Sequence, residues 1–176
     1  MACEEPETGS CIADLYFVLP TGDQSRIDFC AAFTLSAEYE FDPDDPPEIR
    51  NATLRLDATT DEGFECWVEI SEAGACGEGE YLIDAEITQV TMDTSDCTDI
   101  PDEFEGTTSA VEGTLAFTIL DAGGYAGNFT GEPLTTRVAG TLDVKDAAGL
   151  VFGGAFDVTM DVTAGDAEES ACALAE

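Results

Sequence analysis

Carboxylates recur at every third position in Asp93, Asp96, Asp99 and Asp102, with Glu103 next to the last of them. Acids spaced this way in one long connection can supply the roughly six to eight oxygens that Ca²⁺ takes, so these five are the candidate metal ligands. The segment 93–105 lacks the acid spacing and the sixth-position glycine of an EF-hand. A solvated acidic loop pinned by a Cys97 disulfide is therefore the competing reading. Asp42, Asp44 and Asp45 form a smaller acidic group of the same kind. Trp67, the only tryptophan, shares the polar face of an alternating segment with Glu65 and Glu69. An outward tryptophan on a strand suits stacking on a sugar or anchoring a protein interface. Covering of that face by other parts of the chain is the plainer account of the same residue.

Catalytic chemistry is poorly supplied. The chain has no histidine, and Lys145 is its only lysine. Ser-His-Asp and Cys-His arrangements are therefore absent and a Ser-Lys pair is unsupported. A glycosidase-type carboxylate pair needs a defined separation, which composition cannot provide among 39 acidic residues. A non-enzymatic role is the expectation.

Seven cysteines stand at positions 3, 11, 30, 66, 76, 97 and 172, with no C-x-x-C among them. Without histidine or paired spacing, zinc and thioredoxin-like redox motifs have no support. Cys11, Cys30, Cys66, Cys76, Cys97 and Cys172 read instead as disulfide cysteines made in an oxidising compartment, with their pairing left open and Cys3 as the odd one. Both asparagines, Asn51 and Asn128, lie in sequons, Asn51-Ala52-Thr53 and Asn128-Phe129-Thr130. They are candidate N-glycosylation sites on an exported protein, and bare asparagines where the source lacks that pathway.

The elements that must position these residues are strands. From Arg26 to Phe41 the odd positions Ile27, Phe29, Ala31, Phe33, Leu35, Ala37, Tyr39 and Phe41 are apolar or aromatic while most even ones are polar. Strict period two excludes an amphipathic helix and reads as one long, bent strand. The same alternation runs through Ile12–Leu19, 51–58, 64–70, 81–92, 111–119, 134–144 and 150–162, with a change of phase near Gln89 that predicts a bulge. About eight strands and no long helical pattern imply an all-β fold, an antiparallel β-sandwich or alternatively a β-barrel. The similar wording of 112–117, 139–144 and 154–158 predicts three like strands of an antiparallel meander. The expected organisation is a flexible N-terminal tether over 1–10, a β domain over 11–163, and a tail over 164–176. That tail could form a short helix capped by Asp166 and tied down by Cys172.

The 176 residues carry 39 Asp and Glu against 5 Lys and Arg, a formal charge of −34. Nothing here can neutralise a phosphate backbone, so nucleic acid is excluded as a partner. With 44% hydrophobic residues the chain does not fit charge-driven disorder. No apolar run is long enough for a transmembrane helix. The start, Met1-Ala2-Cys3-Glu4-Glu5, resembles the end of a prokaryotic lipobox followed by a mature lipoprotein sequence. That resemblance implies a signal peptide already removed, lipid on Cys3 and six cysteines left for three bridges. A free or intermolecular Cys3 is the alternative.

The expectation is an extracellular or cell-surface binding or structural module, meeting a protein or glycan and held to the lipid membrane through Cys3. Self-assembly into a filament or surface layer is one alternative, and a Ca²⁺- or carbohydrate-binding protein is another. A coat of carboxylates with little lysine also fits salty surroundings, where screening relieves mutual repulsion.

Overall fold

The computed structural model describes residues 9–40, 48–59, 65–73, 78–84, 86–95, 97, 100–121 and 134–162. Ten strands cover most of them: β1 (Ser10–Val18), β2 (Gln24–Asp28), β3 (Ala32–Glu40), β4 (Glu48–Thr59), β5 (Glu65–Ala73), β6 (Gly79–Leu82), β7 (Thr88–Asp93), β8 (Thr107–Asp121), β9 (Leu134–Asp146) and β10 (Val151–Val162). The fold is all-β and every strand pairing is antiparallel. The strands form one sheet in the order β2-β1-β10-β9-β8-β7-β5-β4-β3, with β6 attached to β8, curled into a half-barrel. Among the described residues the only helical element is a single 3-10 turn, Asp102–Phe104. Of the tether expected over 1–10, residues 1–8 lie outside the described residues, while the Gly9 amide donates to the Thr159 carbonyl and Ser10 opens β1. The tail over 164–176, with its expected helix capped by Asp166, also lies outside them.

Two expected strands prove to be two each, which accounts for ten in place of about eight. The long alternation from Arg26 breaks at Phe29-Cys30-Ala31, where the chain leaves β2 at one edge of the sheet and enters β3 at the other. Four Cα steps reach no more than roughly 14 Å, so the edges must curl together. They meet where Cys30 bridges to Asp57 and the Ala31 amide donates to the Asp57 carbonyl at 3.1 Å. Period two survives the crossing because Phe29 stays inward, fully buried against Phe17 and Phe152.

The second split replaces the bulge expected near Gln89. The change of phase is a turn between β6 and β7, with Asp84 Oδ1 accepting the amides of Glu86 and Ile87. Register shifts fall elsewhere, at Glu38/Tyr39 against β4 and at Ala110/Glu112 and Phe117/Ile119 against β9.

β8, β9 and β10 form the meander that their similar wording predicts. Two glycines allow close approach of strands while the sheet curls, Gly113 of β8 against β9 and Gly154 of β10 against β1. Gly113 and Gly154 hold φ of +125° and +127°, and a Cβ on either would lie 2.2 Å or 2.1 Å from a carbonyl oxygen of the adjoining strand. Only glycine accepts that backbone at no steric cost. The turn from β9 to β10 is built by Asp146, whose Oδ1 accepts the Ala148 and Leu150 amides.

One continuous core fills the concave side. Leu15, Phe17, Leu142, Val144, Phe152, Phe156 and Val158 come from β1, β9 and β10; Leu54, Leu56, Val68, Ile70, Val90 and Met92 come from β4, β5 and β7. Burial alternates along each of these strands because successive side chains face opposite sides of a sheet. The half of the sheet containing β4, β5 and β7 therefore presents one continuous polar face to solvent.

Candidate functional site

That outward face is organised in rows set by strand register. Asp57, Trp67, Asp93 and Thr107 are consecutive partners across β4, β5, β7 and β8. Arg55, Glu69, Thr91 and Ser109 form the next row, and Thr53, Ser71 and Gln89 the one beyond. Direct partners satisfy one another: Thr53 with Ser71 and Thr91 with Ser109, each at 3.2 Å, and Thr107 donating to Asp93 Oδ2 at 3.1 Å. Cross-strand pairs of this kind tie neighbouring strands together and hold their side chains in place.

Trp67 lies within this lattice, half-buried, on the side shared with Glu69 and opposite buried Cys66, Val68 and Ile70. The Arg55 guanidinium carbon sits 4.4 Å from the indole centroid, a cation–π stack. Its Nε and Nη2 both donate to Asp57 Oδ1, at 3.1 and 3.0 Å. Asp57 thus aims the guanidinium, and the guanidinium covers part of the ring. What the face offers is an aromatic edge, an oriented cation and the carboxylates of Asp57, Glu69 and Asp93 around them.

No family model, curated protein or solved structure matches the chain.

The acidic connection after β7 is closed at its neck. The Thr94 hydroxyl donates to the carbonyls of Phe104 and Gly106, at 2.5 and 3.1 Å, and the Thr94 amide also reaches Gly106. Buried Cys97 and Ile100 anchor the loop, and Cys97 is bonded to Cys66 of β5. Asp93 is spent on this neck: Oδ1 accepts the Ser95 amide while Oδ2 accepts Thr107. Partial burial works against ionisation of Asp93, but the Ser95 and Thr107 hydrogen bonds and the nearby Arg55 charge outweigh it and hold the carboxyl below its ordinary value. Asp102 and Glu103 stand exposed in the 3-10 turn, while Asp96 and Asp99 lie outside the described residues. Among the described residues, no group of three or more acidic, histidine or cysteine side chains is arranged to hold a metal ion.

The second disulfide joins Cys11 of β1 to Cys30, the residue at which the two sheet edges meet. Cys3, Cys76 and Cys172 lie outside the described residues, as does Asn128. Asn51 is on the outward face of β4, half-buried, opposite Glu38 and Ala73 in register.

Sequence reading missed Glu72. It continues the inward phase of Cys66, Val68 and Ile70, and the structure buries it to 1% exposure, with Ala52 and Thr88 as its register partners. Its Oε2 has no hydrogen-bond partner among the described residues. Burial raises the carboxyl above its ordinary value; a Thr88 hydrogen bond opposes the rise and the charge of Asp84 adds to it. The signal was available, because extending the alternation by one period past Ile70 reaches this residue.

Proposed function

We propose that the chain is a non-enzymatic module displayed outside the cell, tethered by lipid on Cys3, that binds a protein or glycan through the outward face around Trp67. The observation that carries the binding reading is the Arg55–Trp67 stack oriented by Asp57 at 3.0 Å, on a polar face whose cross-strand partners are hydrogen-bonded. An indole beside fixed donors and acceptors suits the apolar side of a sugar ring flanked by its hydroxyls, or an aromatic or basic side chain of a protein. The location is supported by the Cys11–Cys30 and Cys66–Cys97 bridges, because disulfides persist where the surroundings are oxidising.

The non-enzymatic part is supported by the absence of histidine and by the engagement of the sole lysine, Lys145, with Glu112 at 3.0 Å. The two halves of the curled sheet would act as the layers of a sandwich, sharing one core. The surface would be suited to high salt and could carry glycans at Asn51 and Asn128. Ca²⁺ held by the loop from Asp93 to Glu105 is a separate alternative, and Asp102, Glu103 and Glu105 are the described carboxylates exposed for it.

A glycan array probed with the wild-type domain and with Trp67→Ala tests the face directly. Binding lost in the variant supports the reading. Glycan or protein binding that survives Trp67→Ala and Arg55→Ala places the contact elsewhere and removes it. Intact mass of the native protein, with and without reductant, reports lipid on Cys3 and the number of bridges together.

A further inference from the structure

Two rows of the outward face meet at Trp67, and their charges do not cancel. The row of Asp57, Trp67, Asp93 and Thr107 and the row of Arg55, Glu69, Thr91 and Ser109 together hold three carboxylates and one guanidinium, a local excess of negative charge. Arg55 donates to Asp57 although Glu69 is its direct partner across the ladder, so Asp57 is the carboxylate it neutralises. Glu69 and Asp93 make no ion pair among the described residues. Arg55, Asp57, Trp67, Glu69 and Asp93 are half-buried, and Thr107 and Ser109 at the ends of the rows are exposed.

The indole already holds one cation. The Arg55 guanidinium carbon lies 4.4 Å from its centroid, and carboxylates stand on both neighbouring strands, Asp57 on β4 and Asp93 on β7. A ring set among carboxylates in excess attracts a further cation through its quadrupole and through net charge, and the same field repels sulfated or uronic glycans. It also repels a second copy of a chain of charge −34. Spacing favours a peptide as the carrier of the cations. The rows lie two residues apart on each strand, about 6.7 Å, which is the distance at which an extended chain presents alternate side chains on one side. Cations at alternate positions of a segment laid along β5 therefore fall one on each row. The Cys66–Cys97 bridge, next to Trp67 in the chain, ties β5 to the loop after β7 and holds the two rows in place.

We propose, resting on the reading of this face as a binding surface, that its ligand is an extended segment of a partner protein with arginine at alternate positions. One guanidinium packs against the part of the indole that Arg55 leaves uncovered, beside Asp93. The next meets Glu69.

Trp67 is the only tryptophan, so its fluorescence reports on this face alone. The probe is a capped pentapeptide with arginine at the first, third and fifth positions and serine between them. One control replaces arginine by glutamine, a second places the three arginines side by side, and cellopentaose and a glucosamine pentamer supply neutral and cationic glycans. The alternating arginine peptide is expected to shift the Trp67 emission, with an affinity that falls as salt rises and exceeds that of the contiguous peptide about twofold. Calorimetry is expected to show binding to Trp67→Ala weakened about tenfold. Glu69→Gln, without lowering the unfolding midpoint, is expected to weaken binding about twofold and to reduce its salt dependence. Equal binding of the glutamine peptide or of the contiguous peptide overturns the proposal. An emission shift produced by either glycan and not by the arginine peptide keeps the face as a binding surface and overturns its assignment to a basic segment. Silence of Trp67 toward every probe, with no heat of binding, overturns the assignment and counts against the face itself.

Discussion

Glu72 and Thr88 face each other across the β5–β7 ladder on the core side of the sheet, at 1% and 3% exposure. Thr88 hydrogen-bonds the carboxyl, and Glu72 Oε2 has no hydrogen-bond partner among the described residues. A carboxyl in this position is easier to bury neutral than charged.

Glu72→Gln is therefore expected to stabilise the protein at neutral pH. The folded-state value lies above the unfolded one, so the folded state holds this proton more tightly. The wild type pays nothing for Glu72 in acid and progressively loses stability as pH rises through the unfolded value toward the folded one. Glutamine, neutral throughout, removes that loss. Thermal unfolding of both proteins from about pH 3 to pH 8 should show midpoints converging in acid and the variant higher at neutrality.

Asp93 and Asp157 act in the opposite direction. Arg137 donates to Asp157 through Nε and Nη2, at 2.9 and 2.6 Å, and holds that carboxyl below its ordinary value; Ser95 and Thr107 do the same for Asp93. Their stabilisation is present above the unfolded carboxylate value and is lost as pH falls through the lowered folded values. Asp157→Asn and Asp93→Asn should each flatten the acid limb of stability against pH, measured by urea unfolding. An acid limb unchanged in both would contradict the assignment.

Arg55 over Trp67 predicts a spectroscopic signature. Arg55→Ala should expose the indole, shifting its fluorescence to the red, and cost about 0.5–1 kcal/mol of stability. Asp57→Asn, which loosens the guanidinium without removing it, should give a smaller shift of the same sign. Arg55→Lys should resemble Arg55→Ala, because an ammonium cannot stack and bond Asp57 with the same fork.

The two described disulfides close chains of 19 and 31 residues in sequence separation. Loop closure alone gives each about 3 to 4 kcal/mol. Cys30→Ser should release the junction of the sheet edges and expose the β1–β2 side to hydrogen exchange first. Cys97→Ser should instead loosen the acidic loop and β5, leaving amide protection in β9 and β10 close to that of wild type.

Charge predicts salt dependence. Among the described residues Arg26 pairs with Asp14, Arg55 with Asp57, Arg137 with Asp157 and Lys145 with Glu112, and with 39 acidic residues against 5 basic ones most carboxylates have no cation to neutralise them. The unfolding midpoint should rise steadily from dilute buffer to molar NaCl as repulsion is screened. Equal stability at both extremes would argue against a saline habitat.

Alternation of apolar and polar residues by itself determined that the chain is all-β and antiparallel, which face Trp67 and Glu69 share, and where turns such as Asp146–Gly149 fall. Period two is a local property, so it can be read without knowing what each strand pairs with. The same property hid the break at Cys30, because β2 and β3 keep a common phase while belonging to opposite edges of the sheet. It also hid the row that brings Arg55, Trp67 and Asp57 together and the trapped carboxyl of Glu72. Those depend on strand order and register, which are fixed by long-range pairing and by the closing of one curled sheet over one core.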